Sequence, residues 1–299
     1  GPGHGDRNQR GAGKIMEIFS TKSEMQAWSI EKKKEGRSVC FVPTMGYLHR
    51  GHVSLLEKGK PMCDELVLSI FVNPTQFGAN EDLDTYPSDI DNDLRLAKEA
   101  GATAVFLPDK EGIYPSGFQT EVKLADLPNH LCGKFRPVHF AGVATVVTKL
   151  FNIVMPDVAV FGKKDFQQLA VIRQMVEDLD FNIKIVGGDI IREPDGLAMS
   201  SRNAYLTDSQ RESALSLNRS IGMAGEALAK KESNAAALKE QLIGFIHSFD
   251  ETEVEYIHFC DPKTLDDTDD LSGPVLLAMA VRVGTTRLID NAVFNSEED

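Results

Sequence analysis

Five short polar segments carry side chains suited to holding phosphate and carboxylate. In PTMGYLHRGHVSLL, residues 43–56, His49 and His52 stand three apart at the start of a predicted helix, a spacing that turns both rings to one side. Gly46 permits a tight turn just before them. Amide groups at that helix end and imidazole N–H groups suit a phosphate. Packed structural histidines explain the same pair, and so does a metal site, although no third soft ligand accompanies them. FVNPTQF, residues 71–77, ends an apolar run with the amides of Asn73 and Gln76, and an amide can both donate and accept toward an acid bearing hydroxyls. Gln76 equally suits the satisfaction of its own loop.

FGKKDFQQL, residues 161–169, presents Lys163 or Lys164 to an anion and Asp165 to a ribose hydroxyl or a cation; capping of the following helix by Asp165 is the structural alternative. Gln167 and Gln168 diverge around a helix, so at most one of them faces a pocket. MSSRN, residues 199–203, offers the Ser200 and Ser201 hydroxyls and the Arg202 guanidinium for a polyphosphate, and RPVHF supplies Arg136 and His139. A helix cap and a surface or buried pair account for those two segments without catalysis.

The elements between these segments predict how they meet. Residues 38–43, 66–72, 104–108, 158–161 and 183–186 read as strands, and residues 91–100 and 166–179 as amphipathic helices. Such alternation predicts a mainly parallel sheet with helices on both faces, and ligands of such sheets bind beyond the carboxyl ends of the strands. Residues 44–52, 73–77 and 162–168 all follow strands and are expected to share one pocket. After about residue 188 the texture changes. Thr207 with Gln210 forms a capping box, Ser233 or Asn234 starts a second helix, and residues 253–259 and 275–283 read as strands. The chain is therefore expected to be α/β, with residues 16–188 forming a parallel-sheet domain and residues 189–299 a smaller α+β domain sharing an extensive, ligand-sensitive boundary with it.

Composition narrows the function. The 299 residues carry 32 basic and 45 acidic side chains, a net charge of -13 that argues against a nucleic-acid surface. No apolar run reaches the length of a membrane span. The cysteines Cys40, Cys63, Cys132 and Cys260 lie far apart, as in a reduced compartment. Residues 1–15 are glycine-rich and polar with no apolar signal region, so a cleaved secretion signal is not expected, and Met16 is a candidate start.

Taken together, PTMGYLHRGH, FVNPTQF, RPVHFAGV, VFGKKDFQQL, MSSRN and TTRLIDN resemble the pantothenate synthetase family, the pantoate and beta-alanine ligases of the HIGH-motif nucleotidyltransferase-like superfamily. The resemblance runs from about Met16 to Asn291. It implies a Rossmann-like domain with a carboxyl-terminal lid, a cytoplasmic homodimer, ATP with Mg2+, and a place in coenzyme A precursor biosynthesis. It further implies condensation of (R)-pantoate with beta-alanine through a pantoyl adenylate, giving pantothenate, AMP and pyrophosphate.

Carried onto this chain, the resemblance sets Gln76 and Gln168 around pantoate. His49, His52, Lys164 and Arg202 become the catalytic set. Met45, Gly162, Asp165, Met199, Ser200 and Ser201 join them around ATP, Asn73 and Arg136 become contacts for beta-alanine or the cleft, and no protein ligands for the metal are implied. Two departures stand out: Val138 replaces the family's small residue in RPGHF, and GYLHRGH replaces GALHEGH. Another HxGH nucleotidyltransferase and a catalytically silent nucleotide-binding regulator are the rival readings.

Overall fold

The computed structural model describes residues 15–296. The reading of the amino-terminal leader falls on residues outside these, apart from Ile15. Six strands, β1 (Glu17–Phe19), β2 (Val39–Thr44), β3 (Glu65–Ile70), β4 (Ala104–Phe106), β5 (Val158–Gly162) and β6 (Lys184–Gly188), pair in parallel in the order β1-β4-β3-β2-β5-β6. The helices among them are α1 (Lys22–Lys34), α2 (Arg50–Gly59), α3 (Ile90–Glu99), the short α4 (Lys110–Ile113) and α5 (Cys132–Phe135), α6 (His139–Val154) and α7 (Phe166–Asp178).

Side-chain alternation along the strands builds a core on each face. Val39 and Phe41 of β2 pack with Val67, Phe106 and residues of α1, α6 and α7, including Met25, Phe151 and Ile172. Their neighbours Cys40 and Val42 point the opposite way, to Leu55 and Leu56 of α2 and Ala97 of α3. Each fully buried Leu, Ile or Phe in these layers contributes roughly 1.5–3 kcal/mol of transfer free energy.

Strand order runs from β2 through β3 to β4 on one side and from β5 to β6 on the other, so the direction of winding reverses between β2 and β5. A crevice opens at such a reversal, beyond the carboxyl ends of the strands. Thr44 ends β2 and Gly162 ends β5, which brings the two phosphate-type segments that follow them side by side.

Beyond β6 the chain forms α8 (Asp208–Ala229), α9 (Ala235–His247) and the antiparallel sheet β7 (Thr252–Cys260), β8 (Val275–Val283) and β9 (Thr286–Phe294). Thr207 makes the expected capping box with Gln210, and Asn234 caps α9. One face of this sheet packs under α8 and α9. The other, through Leu276, Ala278 and Ala280, joins Val171 of α7, Phe140 and Leu131 in an apolar cluster shared by the two halves of the molecule. The four cysteines are unpaired. Among the described residues no helix is long and apolar enough to cross a membrane.

Several elements were not read from sequence: the edge strand β1, the helices α1, α4, α5 and α6, and β9. β1, α4 and α5 are three or four residues long, β9 coincides with the TTRLIDN motif, and α6 is buried on nearly every side, which erases the periodic contrast that marks an amphipathic helix. α1 did carry a signal, the reciprocal capping box of Thr21 and Glu24.

Candidate active site

The turn before α2 forms one wall of the crevice. His49 occupies the cap position of α2, and its Nδ1 accepts the Gly51 N–H at 3.0 Å. His52 closes the box in the other direction, its Nδ1 accepting the His49 backbone N–H at 3.1 Å. A ring nitrogen that accepts from a backbone N–H carries no proton, so in each neutral ring the proton sits on Nε2. Desolvation is the main cause that lowers the pKa of both rings, joined by the Lys164 charge and, at His52, more strongly by His49. His49 is brought down to about 4 and His52 well below its ordinary value. Two neutral imidazoles, 4.0 Å apart between centroids, thus present two Nε2–H donors to the crevice.

The backbone of this turn is held from α3. Both carboxylate oxygens of Asp93 accept N–H groups, from Tyr47 at 2.8 Å and Leu48 at 2.7 Å. Tyr47 has φ of +53° and Gly46 of +83°, and a Cβ at Gly46 would come within 2.8 Å of Ile70. Glycine is needed there by conformation and by space.

Facing the histidines are Met45, Asn73, Gln76, Gly162, Lys164, Asp165, Gln168, Met199, Ser200, Ser201 and Arg202, which line one cavity of about 230 Å3. Lys164, Asp165, Gln168, Ser200, Arg202, Arg136 and His139 also line an adjoining space of about 500 Å3 that reaches β8 and β9. Every residue that the resemblance sets in the site therefore borders this cleft. Lys163 turns away to pair with Asp189 at 3.0 Å, whereas Lys164 has no ion-pair partner among the described residues. Gln167 is buried and spends its amide on Cys132 N–H and the carbonyls of Leu127 and His130, leaving Gln168 to the cleft, as helical divergence requires. Asp165 precedes α7 without capping it, so the structural alternative for that carboxylate does not hold.

The two arginines are held by carboxylates from one segment. Arg202 makes a bidentate pair with Asp82 at 3.0 Å, and Arg136 meets Glu81 at 2.5 Å. Ser200 accepts the Arg202 N–H, and the Ser201 hydroxyl donates to the Tyr47 carbonyl at 3.3 Å, tying MSSRN to the histidine turn. Val138 has φ of −93° and ψ of −12° and is exposed, so its β-branched side chain meets no conformational obstacle.

His139 is a site residue that sequence reasoning left without a role. Its Nδ1–H donates to the Gln76 carbonyl at 3.1 Å, and its Nε2 accepts from Arg136 at 3.4 Å. Burial first, and the Arg136 charge second, lower its pKa to about 3, which keeps the ring neutral as this pairing demands. The signal for it was the proximity of Arg136 and His139 in RPVHF.

A family model for pantoate-beta-alanine ligase matches residues 17–293. The chain belongs to the pantoate-beta-alanine ligase family. It is 58% identical over 278 residues to the pantothenate synthetase of Desulfatibacillum aliphaticivorans, an alignment spanning 93% of this chain and 99% of the relative. To the enzyme of Geobacter sulfurreducens it is 51% identical over 283 residues, covering 95% of this chain and all of the relative. The crystal structure of pantothenate synthetase from Thermus thermophilus superposes with a TM-score of 0.88 at 40% identity, over 93% of this chain and 99% of that one. A Francisella tularensis ligase complexed with beta-gamma ATP and beta-alanine gives a TM-score of 0.77 at 33% identity, over 95% and 99% of the two chains. As a member of the pantoate-beta-alanine ligase family, the chain is an ATP-dependent ligase of pantothenate and coenzyme A precursor biosynthesis. It condenses pantoate with beta-alanine through a pantoyl adenylate.

Proposed function

We propose that the cleft between β2 and β5 performs both half-reactions of this ligase, with the roles distributed as follows. His49 and His52 donate Nε2–H groups to the ATP phosphates, and Lys164 and Arg202 supply positive charge as the pantoate carboxylate attacks the α-phosphorus and pyrophosphate leaves. Donors fixed before the reaction stabilise charge that develops in the transition state without reorganising. Ser200 and Ser201 complete the phosphate contacts. Met45, Gly162, Asp165 and Met199 border the nucleoside; an added Cβ at Gly162 would meet nothing within 4 Å, so that glycine leaves room for a ligand and does not serve packing. Gln76 and Gln168 hold pantoate. Beta-alanine then attacks the acyl carbonyl from the larger space beside Arg136, and AMP departs; Asn73, expected beside beta-alanine or the cleft, borders the smaller cavity with its amide engaged inside the protein.

Phosphate has to replace or share the carboxylates of Asp82 and Glu81 on the two arginines, which makes Lys164 the cation that is open to ATP from the start. The observation carrying this reading is the reciprocal histidine cap, which leaves two neutral donors beside that uncompensated lysine at the reversal of the sheet.

Mg2+ is expected to accompany ATP. Triphosphate oxygens and water would hold it, as the resemblance implies, with no protein ligand and no step assigned to it. Residues 16–188 are the ATP- and pantoate-binding domain and residues 189–299 the lid, a division supported by the end of the parallel sheet at Gly188. A cytoplasmic homodimer follows the family resemblance, and sedimentation of the purified chain measures its assembly. With both acids present, ATP should yield AMP and pyrophosphate in equal amounts. With pantoate alone, pyrophosphate release should stop near one turnover; steady release without beta-alanine would count against the retained adenylate.

A further inference from the structure

The amide of Gln76 has two chemically opposite ends, and the hydrogen bonds beneath it decide which one meets the substrate. Asn73 Nδ2 donates to the Gly142 carbonyl at 3.1 Å and to Gln76 Oε1 at 3.1 Å. A backbone carbonyl only accepts, so Gly142 dictates on which side the Asn73 nitrogen lies. Gly142 comes this close because it has no side chain: a Cβ there would stand 2.6 Å from Gln76 N. On the opposite side, Asn73 Oδ1 accepts from the Tyr114 hydroxyl at 2.7 Å and from the Thr75 hydroxyl at 2.9 Å. Asn73 is 1% exposed and both its N–H bonds are committed within the protein. Gln76 answers the Asn73 nitrogen with its oxygen, and its Nε2 is left toward Met45 Sδ, 3.5 Å away on the cleft wall.

We propose that Tyr114 is a positioning residue for the substrate acid: acting through Asn73, its hydroxyl fixes the Gln76 amide with the N–H bonds toward the cleft, so that the site selects a substrate presenting an acceptor oxygen there. Tyr114 does not line the cleft. Its ring packs on Phe71 and Phe118, with centroids 6.3 and 5.1 Å away, behind the residues that do. Burial raises the pKa of the phenol, which keeps it a donor at neutral pH. The inference rests on the reading of Gln76 as a pantoate contact and adds what orients it.

Tyr114→Phe removes the hydroxyl and keeps the ring. The Thr75 donor remains, so the expected effect is moderate: a pantoate KM raised about 3- to 10-fold, the worth of one hydrogen bond, with the ATP KM unchanged. In a Gln76→Ala background the same substitution should add nothing, because its only route to the substrate is gone. A flat pantoate KM, an equal rise for both substrates, or full additivity in that background overturns the proposal. The side-chain amide resonance of Gln76, identified by its loss in Gln76→Ala, supplies a readout independent of substrate. It should move in Tyr114→Phe, and an unmoved signal also overturns the relay. If Gln76→Ala itself leaves the pantoate KM unchanged, the substrate reading of Gln76 fails separately, and the relay is then judged on that resonance alone.

Discussion

His49 and His52 differ from an ordinary histidine pair in that neither ring is free to choose its proton. Each Nδ1 is occupied by a backbone N–H, so each Nε2 must donate. His49→Ala or His52→Ala should therefore slow pantoyl adenylate formation by about 100-fold, roughly 3 kcal/mol of transition-state stabilisation, measured in a single turnover with folded variants. Unchanged rates in both would remove the proposed role. The pH dependence has a definite sign. A histidine whose folded pKa lies below its unfolded value lets the unfolded chain bind more protons, so stability is lost as pH falls below about 6.5, down to about 4 for His49. Adenylation should accordingly show no histidine titration near 6.5, and stability to urea should decline through that window. Between the lysines the contrast is in their partners: Lys163 is engaged by Asp189 and Lys164 is not. Lys164→Ala is expected to raise the ATP KM or lower kcat by more than 10-fold and Lys163→Ala by much less, an asymmetry that parallel ATP titrations would test.

At the scale of elements, α3 acts on chemistry it never touches. Asp93 is fully buried and holds two consecutive N–H groups of a turn that includes a non-glycine residue at positive φ. Asp93→Ala orphans both donors and leaves Tyr47 in its strained conformation, at a cost of roughly 2–4 kcal/mol of stability. Denaturant unfolding should register that loss, and adenylation should fall more than the loss of folded protein explains, since His49 follows directly on the turn. Wild-type stability and rate in Asp93→Ala would show that the turn holds itself. None of this was readable from the sequence, because Asp93 lies in an unremarkable helical stretch and its partners are 45 and 46 residues away. Most strands and the histidine pair were readable, because short β-branched apolar runs and a spacing of three leave local marks. The same limit explains the orientation of Gln76, which depends on a carbonyl 69 residues from Asn73, whereas α6 was hidden by burial on nearly every side.

At the scale of the whole molecule, the carboxyl-terminal sheet lines the larger space of the cleft and holds the lysine turn through the side chain of Asn291. Asn291 of β9 donates to the carbonyls of Lys163 at 3.0 Å and Lys164 at 2.8 Å, pinning the turn that aims Lys164 into the cleft. Its own position is set from beside it. Asp290, itself held by Arg192 in a bidentate pair at 2.7 and 2.9 Å, accepts the Asn291 backbone N–H at 2.8 Å. The apolar cluster joining β8 to α7 brings the sheet near, but apolar contact is not directional, and it is the amide that sets where the lysine turn sits. Asn291→Ala would leave two carbonyls without their donor and free the turn, so ATP affinity should fall about 10-fold, while pantoate affinity, which also rests on Gln76 of the opposite wall, should fall less. Global stability should drop by roughly 1–3 kcal/mol. Asn291→Asp should do at least as much harm to ATP binding, because a carboxylate cannot donate and would also set a negative charge against two carbonyl oxygens. Calorimetry with each ligand on the folded variants separates the two affinities. Equal losses for ATP and pantoate would mean that the substitution loosens the whole cleft, and normal ATP binding in both variants would show that the KKD turn keeps its shape without the carboxyl-terminal sheet.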